Sequence, residues 1–169
     1  MKYKKGSASA CRRRDGFTLL ELLVVVAIVG ILTTVVVAAL TSSRKKGGDA
    51  GVKANLRNAI SQGEIFYGTN TASPNSYTSV CTNGIVGGAK GVGAQILAAA
   101  RANGYTYGVS NINPATTNIS SVTCNFNANG WAAQVPLKET AGYAWCVDWT
   151  GKSIQTANSL SDGTDVLCN

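Results

Sequence analysis

The sequence predicts an α+β fold, in which one long N-terminal helix precedes a small antiparallel sheet of about four strands. Three observations lead to this prediction. An apolar run spans residues 17–40, apolar residues then recur at spacings of three and four up to residue 67, and the period changes toward two after about residue 119. The first two patterns are typical of helices, and the third is typical of half-buried strands.

Residues 1–16 form a polar and basic leader ahead of the apolar run. Six of the 15 basic residues lie in the first fourteen positions. Residues 17–169 carry nine basic and seven acidic residues, so the remaining chain shows no charge excess that would demand nucleic acid as a partner. Six cations before the apolar run against three in residues 44–46 favour a cytoplasmic N-terminus.

Residues 17–40 are long and apolar enough to span a membrane. At 1.5 Å per residue, these 24 residues form a helix of about 36 Å, against a hydrocarbon core of about 30 Å. Glu21 is the exception in this run, because an acidic group at the bilayer centre costs about 2.5–3.5 kcal/mol. Either Glu21 has a function there, or it lies at the headgroup level of a simple anchor.

Residues 41–67 continue the helix in amphipathic form. The apolar stripe consists of Val52, Leu56, Ala59, Ile60, Gly63, Phe66 and Tyr67. Three glycines interrupt the segment "KKGGDAG", and each costs about 0.8–1 kcal/mol in a helix interior. We therefore expect a bend or local fraying at residues 45–51. The turn-rich segment "GTNTASPNSYTSVC" predicts that the helix ends after residue 67.

Residues 68–118 are expected to form a connecting loop with a short helix near residues 92–102, "VGAQILAAARA". The glycine-rich stretch "GIVGGAKGVGA" is expected to be a flexible surface loop. In residues 119–169, "ISSVTCNFN", "GWAAQVPLK", "GYAWCVDWT" and "KSIQTA" alternate with turn residues and predict four strands. The amphipathic helix of residues 52–67 is the expected cover for the apolar face of this sheet.

The cysteines predict disulfide bonds. Cys11 lies in the leader, and four others lie in the C-terminal two thirds of the chain: Cys81, Cys124, Cys146 and Cys168. An even set behind an export-like N-terminus is typical of two disulfides, for which three connectivities exist. The alternative is a set of buried free thiols.

The sequence gives no sign of an enzyme or of a cofactor. It contains no histidine, which excludes Ser/His/Asp triads and histidine-ligated metals. Its cysteines lack the close spacing of a zinc site. Three carboxylates near the C-terminus, Asp148, Asp162 and Asp165, are weak candidates for calcium ligands, with a solvated turn as the alternative.

The segment "GFTLLELLVVVAIVGIL" resembles the N-terminal signature of type IV pilins and type II secretion pseudopilins. The resemblance rests on a basic leader, Gly16 before the aromatic Phe17, Glu21 at the fifth position after that glycine, and a long apolar helix. It implies the pilin fold, cleavage between Gly16 and Phe17 by a prepilin peptidase, and methylation of the new amine of Phe17. The chain departs from the family in having Asp15 before Gly16 and no proline before Pro74.

The resemblance also implies how Glu21 would act. In a staggered array, Glu21 of one subunit can meet the Phe17 amine of a neighbour, so that two groups that are costly singly neutralise each other only in the correct register. The implied partners are further copies of the chain, with minor pilins as possible additions, the prepilin peptidase, the pilus assembly platform and the inner membrane. The implied location is the membrane before assembly and the cell-surface filament afterwards.

The resemblance also bears on the disulfides. We prefer Cys81 with Cys124 and Cys146 with Cys168, the second closing a C-terminal loop as the resemblance suggests. A bridge between Cys81 and Cys146 stays open.

Three functions remain open at this point. The first is a type IV pilus subunit, which could serve adhesion, twitching motility or DNA uptake. The second is a secretion pseudopilin that forms a short periplasmic pseudopilus, which bound calcium would favour and two disulfides would disfavour. The third is a monomeric membrane-anchored binding module that is neither cut nor polymerised.

Overall fold

The computed structural model describes residues 16–105, 120–160 and 165–169. Its helices are α1 (Leu19–Thr69) and α2 (Gly93–Ala102), and its strands are β1 (Ile85–Val86), β2 (Ala89–Lys90), β3 (Thr123–Phe126), β4 (Trp131–Pro136), β5 (Ala144–Asp148) and β6 (Ser153–Thr156). The four later strands form one antiparallel sheet in the order β3-β4-β5-β6. The predicted α+β class, with its long N-terminal helix and four-stranded sheet, is confirmed.

The chain divides into two compact units, one ending at Leu40 and the other beginning at Thr41. In the second unit, both faces of the sheet are covered, and all six residues of β4 are consequently buried. On one face, Trp131, Ala133 and Val135 of β4 share a core with the second half of α1 and with α2. That part of α1 contributes Val52, Leu56, Ala59 and Phe66. The predicted amphipathic stripe thus supplies the core residues of the helix.

The opposite face of the sheet is covered by the C-terminal segment. Ala132 and Cys146 lie there with Leu160 and Cys168 in a second apolar cluster. Leu160 N–H donates to the buried Gln134 side chain at 3.0 Å, and the Cys146–Cys168 disulfide joins the segment to β5. Closing a loop of this length stabilises the fold by about 3 kcal/mol in the chain-entropy account.

The second disulfide joins the connecting segment to the sheet. Cys81, in the loop before α2, is bonded to Cys124 of β3, and both residues are buried in the main core. The two bridges thus lie on opposite faces of the sheet. Each holds a segment without long regular structure against a strand.

The sequence predicts a flexible surface loop in the glycine-rich stretch after residue 83, but the structure has a short hairpin there. Strands β1 and β2 pair antiparallel, with Val86 opposite Ala89. The two residues between them, Gly87 and Gly88, have φ values of 54° and 81°. Positive φ at both central positions is the mark of a type I′ turn, which favours Gly-Gly and matches the twist of paired strands.

The local fraying that was one alternative for residues 45–51 is absent, since α1 is continuous through this segment. The glycines instead permit close packing. A Cβ on Gly48 would lie 2.2 Å from Asn103 Oδ1 and 2.9 Å from the backbone oxygen of Ala102. A Cβ on Gly51 would lie 3.0 Å from Ala102 Cβ. The C-terminal end of α2 therefore approaches α1 as closely as it does only because these side chains are missing.

Asp49 stabilises the contact between α1 and the C-terminal end of α2 through hydrogen bonds. Its side chain is 4% exposed, and it accepts hydrogen bonds from Asn103 Nδ2 at 2.7 Å and from the backbone N–H groups of Lys138 and Glu139 at 2.9 Å each. One carboxylate thus joins α1, the end of α2 and the loop after β4.

We expect alanine substitutions at the adjacent positions Gly47 and Gly48 to change the free energy of unfolding in opposite directions. Gly48→Ala should lower the free energy of unfolding by about 1–3 kcal/mol, because the added Cβ meets a backbone oxygen that cannot rotate away. Gly47→Ala should raise it by about 0.5–1 kcal/mol, because its Cβ would meet nothing within 4 Å and alanine is the better helix former. Urea unfolding of the full chain in detergent, followed by tryptophan fluorescence, measures both. Equal effects at the two positions would contradict the close-packing role of Gly48.

Candidate processing and assembly site

The first turn of α1 is closed by a reciprocal pair of side chains, Thr18 and Glu21. Thr18 precedes the helix, and its carbonyl accepts the N–H of Leu22 at 3.2 Å. Its hydroxyl oxygen accepts the N–H of Glu21 at 3.2 Å, while Glu21 Oε2 accepts the N–H of Thr18 at 3.0 Å and the Thr18 hydroxyl at 2.8 Å. This is a capping box, in which both residues satisfy amide groups that a helix start leaves open.

Sequence reasoning did not identify this capping box, although its signal was present. The spacing Thr-x-x-Glu before an apolar run is the signature of such a cap. Glu21 therefore has local partners in a single copy of the chain. The carboxylate is nevertheless exposed in this unit, so it stays accessible to a group on another molecule.

Gly16 and Phe17 lie immediately before the cap, outside the helix. A Cβ on Gly16 would meet nothing within 4 Å, so the fold itself gives no packing reason for a glycine at this position. Phe17 is 80% exposed. The bond between them is thus sterically open on the described side. Residues 1–15, which include Asp15 and all of the predicted leader except Gly16, lie outside the described residues.

The apolar half of α1 is exposed along its whole length. Every residue from 17 to 40 is classed as exposed, including large side chains such as Leu19 at 80% and Ile31 at 69%. By length and composition, α1 qualifies as a membrane-spanning helix. Apolar surface of this extent needs lipid or another protein surface as its cover.

The other polar side chains of this segment are satisfied by their own helix. Thr33 Oγ1 donates to the carbonyls of Val29 and Gly30, both at 2.9 Å, and Thr34 Oγ1 donates to that of Ile31 at 2.7 Å. A threonine hydroxyl bonded back to the preceding turn needs no water. Thr18, Glu21, Thr33 and Thr34 all have intrahelical or capping partners, which suits a segment that is buried in lipid or in a bundle of helices.

The carboxylates considered for calcium are not assembled into a site within the described residues. Asp148 is fully buried; its Oδ1 accepts from Thr150 and Lys152, and its Oδ2 accepts from the backbone N–H of Cys168 at 2.9 Å. It therefore anchors the β5–β6 turn to the C-terminus. Asp162 lies outside the described residues. No group of three His, Cys, Asp or Glu side chains suited to a metal occurs in the described part of the chain.

Comparison with known protein families matches residues 11–37 to the prokaryotic N-terminal methylation motif. Neither the curated proteins nor the solved structures contain a significant match to the chain. The matched range includes Gly16, Phe17, the Thr18–Glu21 cap and most of the exposed apolar helix. Residues 11–37 of this protein are therefore the class III signal that marks type IV pilins and pseudopilins.

Proposed function

We propose that this chain is a structural subunit of a type IV pilus. In this proposal the subunit is inserted in the inner membrane through residues 17–40, is cut between Gly16 and Phe17, is methylated on Phe17 and polymerises through α1. The observation that supports it most directly is the methylation motif at residues 11–37 together with a helix whose apolar half is wholly exposed. Such a helix has two successive covers available, the lipid of the membrane and then the helices of neighbouring subunits.

The cleavage part of the proposal rests on the surroundings of Gly16. The open surroundings of Gly16 tolerate a larger side chain, so the fold does not require glycine at this position. A peptidase that accommodates only glycine before the cut would require it. Cleavage would leave Phe17 as a free cationic N-terminus, separated from the exposed Glu21 carboxylate by one turn of helix. Each subunit would then present one cation and one anion to its neighbours.

Two observations favour a pilus over a pseudopilus. Both disulfides are formed, so the globular unit has covalent reinforcement suited to a surface fibre. Asp148, one of the candidate calcium ligands, is already used by hydrogen bonds to Thr150, Lys152 and Cys168. These hydrogen bonds join the β5–β6 turn to the C-terminal segment.

Intact-mass and N-terminal analysis of material sheared from the cell surface tests the proposal. We expect a chain that begins at methylated Phe17 and is four hydrogens lighter than the fully reduced form, because two disulfides remove two hydrogens each. A chain with an intact leader that is found only in the membrane fraction would contradict the proposal. It would favour the anchored monomer, in which the capping box alone accounts for Glu21.

We expect Gly16→Val to block processing. The fold around residue 16 has room for the isopropyl group, so the variant should fold and insert normally while the mass stays that of the uncut chain. Mass spectrometry of the membrane fraction measures this, and the wild-type chain expressed with the same peptidase is the control. Efficient cleavage of Gly16→Val would show that the glycine is not what the peptidase recognises.

A further inference from the structure

A basic cleft lies in the second unit, where the beginning of that unit meets the end of α2. The cleft has a volume of about 480 Å³, and four cationic side chains contribute to its lining: Arg44, Lys45, Arg101 and Lys138. Among the described residues that line it, none is acidic. A volume of this size lies in the range of small-molecule sites. The cleft is therefore large enough for a charged headgroup rather than a single ion.

These four cations come from three separate parts of the chain. Arg44 and Lys45 lie on α1, Arg101 is in the last turn of α2, and Lys138 follows β4. The fold brings them together through the glycine contact at Gly48 and the hydrogen bonds of Asp49. Like charges repel, so gathering four of them around one cleft carries a cost that a bound anion would remove.

Other charged groups near the cleft do not neutralise it. In the described part of the chain, the one ion pair of this region joins Lys46 to Glu139 at 3.6 Å and uses none of the four cations. Asp49 is the nearby anion, but it is buried and committed to three hydrogen-bond donors. The carbonyl groups of Ala100 and Arg101 at the end of α2 already accept backbone N–H groups, which reduces the negative potential of that helix end.

The position of the cleft in the sequence indicates the source of the anion. Arg44 follows Leu40, the last residue of the apolar run, by only four positions. If residues 17–40 span the hydrocarbon core, the residues that follow directly lie at headgroup depth. With a cytoplasmic N-terminus, these residues face the leaflet on the side of the membrane away from the cytoplasm. Where that leaflet contains anionic lipids, basic residues beside the span attract them, at about 1 kcal/mol per Lys or Arg near the surface.

We infer that this cleft binds the phosphate of an anionic phospholipid headgroup while the subunit waits in the membrane. The inference rests on the proposed function, since it requires the membrane-inserted stage. Bidentate contact by Arg44 and Arg101 with phosphate oxygens, supported by the point charges of Lys45 and Lys138, is the chemistry that such a site offers. Bound lipid would orient the globular unit at the membrane surface before the subunit is extracted into a fibre.

Hydrogen exchange of the full chain in lipid nanodiscs tests this inference. Nanodiscs of phosphatidylcholine are compared with nanodiscs that contain phosphatidylglycerol, and the amides of residues 101–105 and 138 are followed. We expect exchange to be about fivefold slower with phosphatidylglycerol. The attraction of one cation to an anionic surface is about 1 kcal/mol, which corresponds to a factor of about five in the exchange rate. Arg101→Gln/Lys138→Gln should abolish the difference, because these two cations belong to the folded cleft and not to the run at residues 44–46.

Arg57→Gln/Lys90→Gln is the matched control, since it removes the same charge from residues that do not line the cleft. It should keep the difference between the two lipids. Equal exchange in both lipids, or equal loss in both double variants, would overturn the inference. Protection by inorganic phosphate or by an oligonucleotide in phosphatidylcholine nanodiscs, equal to that by phosphatidylglycerol, would overturn the assignment to lipid. Failure of the chain to insert in nanodiscs would instead contradict the proposed function.

Discussion

Glu21→Gln is expected to abolish filament assembly while leaving cleavage between Gly16 and Phe17 intact. Glutamine can replace glutamate in a capping box, so the first turn of α1 keeps its cap. The variant removes only the negative charge. If the carboxylate pairs with the Phe17 amine of a neighbouring subunit, that amine is left as an unpaired charge within a bundle of apolar helices, which costs several kcal/mol for each subunit added.

Thr18→Val is the matched variant that tests the capping role of the Thr18–Glu21 pair. It keeps the Glu21 charge but removes the hydroxyl that accepts Glu21 N–H and donates to Glu21 Oε2. Loss of a cap costs about 0.5–2 kcal/mol, so we expect fewer filaments but not their absence. Electron microscopy and immunoblots of sheared cell-surface material give the amount of fibre, and intact mass gives the processing. Normal fibres from Glu21→Gln with a defect in Thr18→Val would mean that Glu21 acts as a cap alone.

The sequence predicts the architecture of this chain well because its signals are local and periodic. The four strands are each bounded by turn residues, and the apolar stripe from Val52 to Phe66 has the helical spacing. Both types of pattern follow from the geometry of one element at a time. The methylation motif is local in the same sense, since it lies within residues 11–37.

Prediction from the sequence fails where the structure of a residue is set by a contact with a residue far away in the chain. Propensity alone predicts a weak place in the helix at Gly48 and Gly51, whereas the structure keeps the helix intact where α2 packs against these positions. Nothing in the sequence near Asp49 indicates that its partners are Asn103 and the loop at residues 138–139. The basic cleft is hidden for the same reason, because Arg101 and Lys138 are far in sequence from Arg44.

Asp49→Ala is expected to cause the largest loss of stability in the globular unit. The substitution leaves the backbone N–H groups of Lys138 and Glu139 without their acceptor, and it removes one of the two acceptors of Asn103 Nδ2. The Asn103 hydrogen bond is buried and the two backbone hydrogen bonds are partly buried. A buried donor left unpaired costs about 1–3 kcal/mol and a partly hydrated one costs less, so we expect the free energy of unfolding to fall by about 2–4 kcal/mol. That is a large part of the roughly 5–15 kcal/mol by which domains are usually stable.

Two further variants separate the hydrogen-bonding role of Asp49 from charge effects. Asp49→Asn keeps one acceptor oxygen but turns an N–H group toward another N–H group, so its loss should be intermediate. Glu139→Ala removes an exposed carboxylate from the same region and breaks the ion pair with Lys46, which should cost less than about 1 kcal/mol. Urea unfolding of the full chain in detergent can be followed by tryptophan fluorescence, because all three tryptophans lie in the globular unit. If Asp49→Ala unfolded within 1 kcal/mol of wild type, the carboxylate could not be what joins α1 to α2, and the glycine contact at Gly48 would have to hold the basic cleft together by itself.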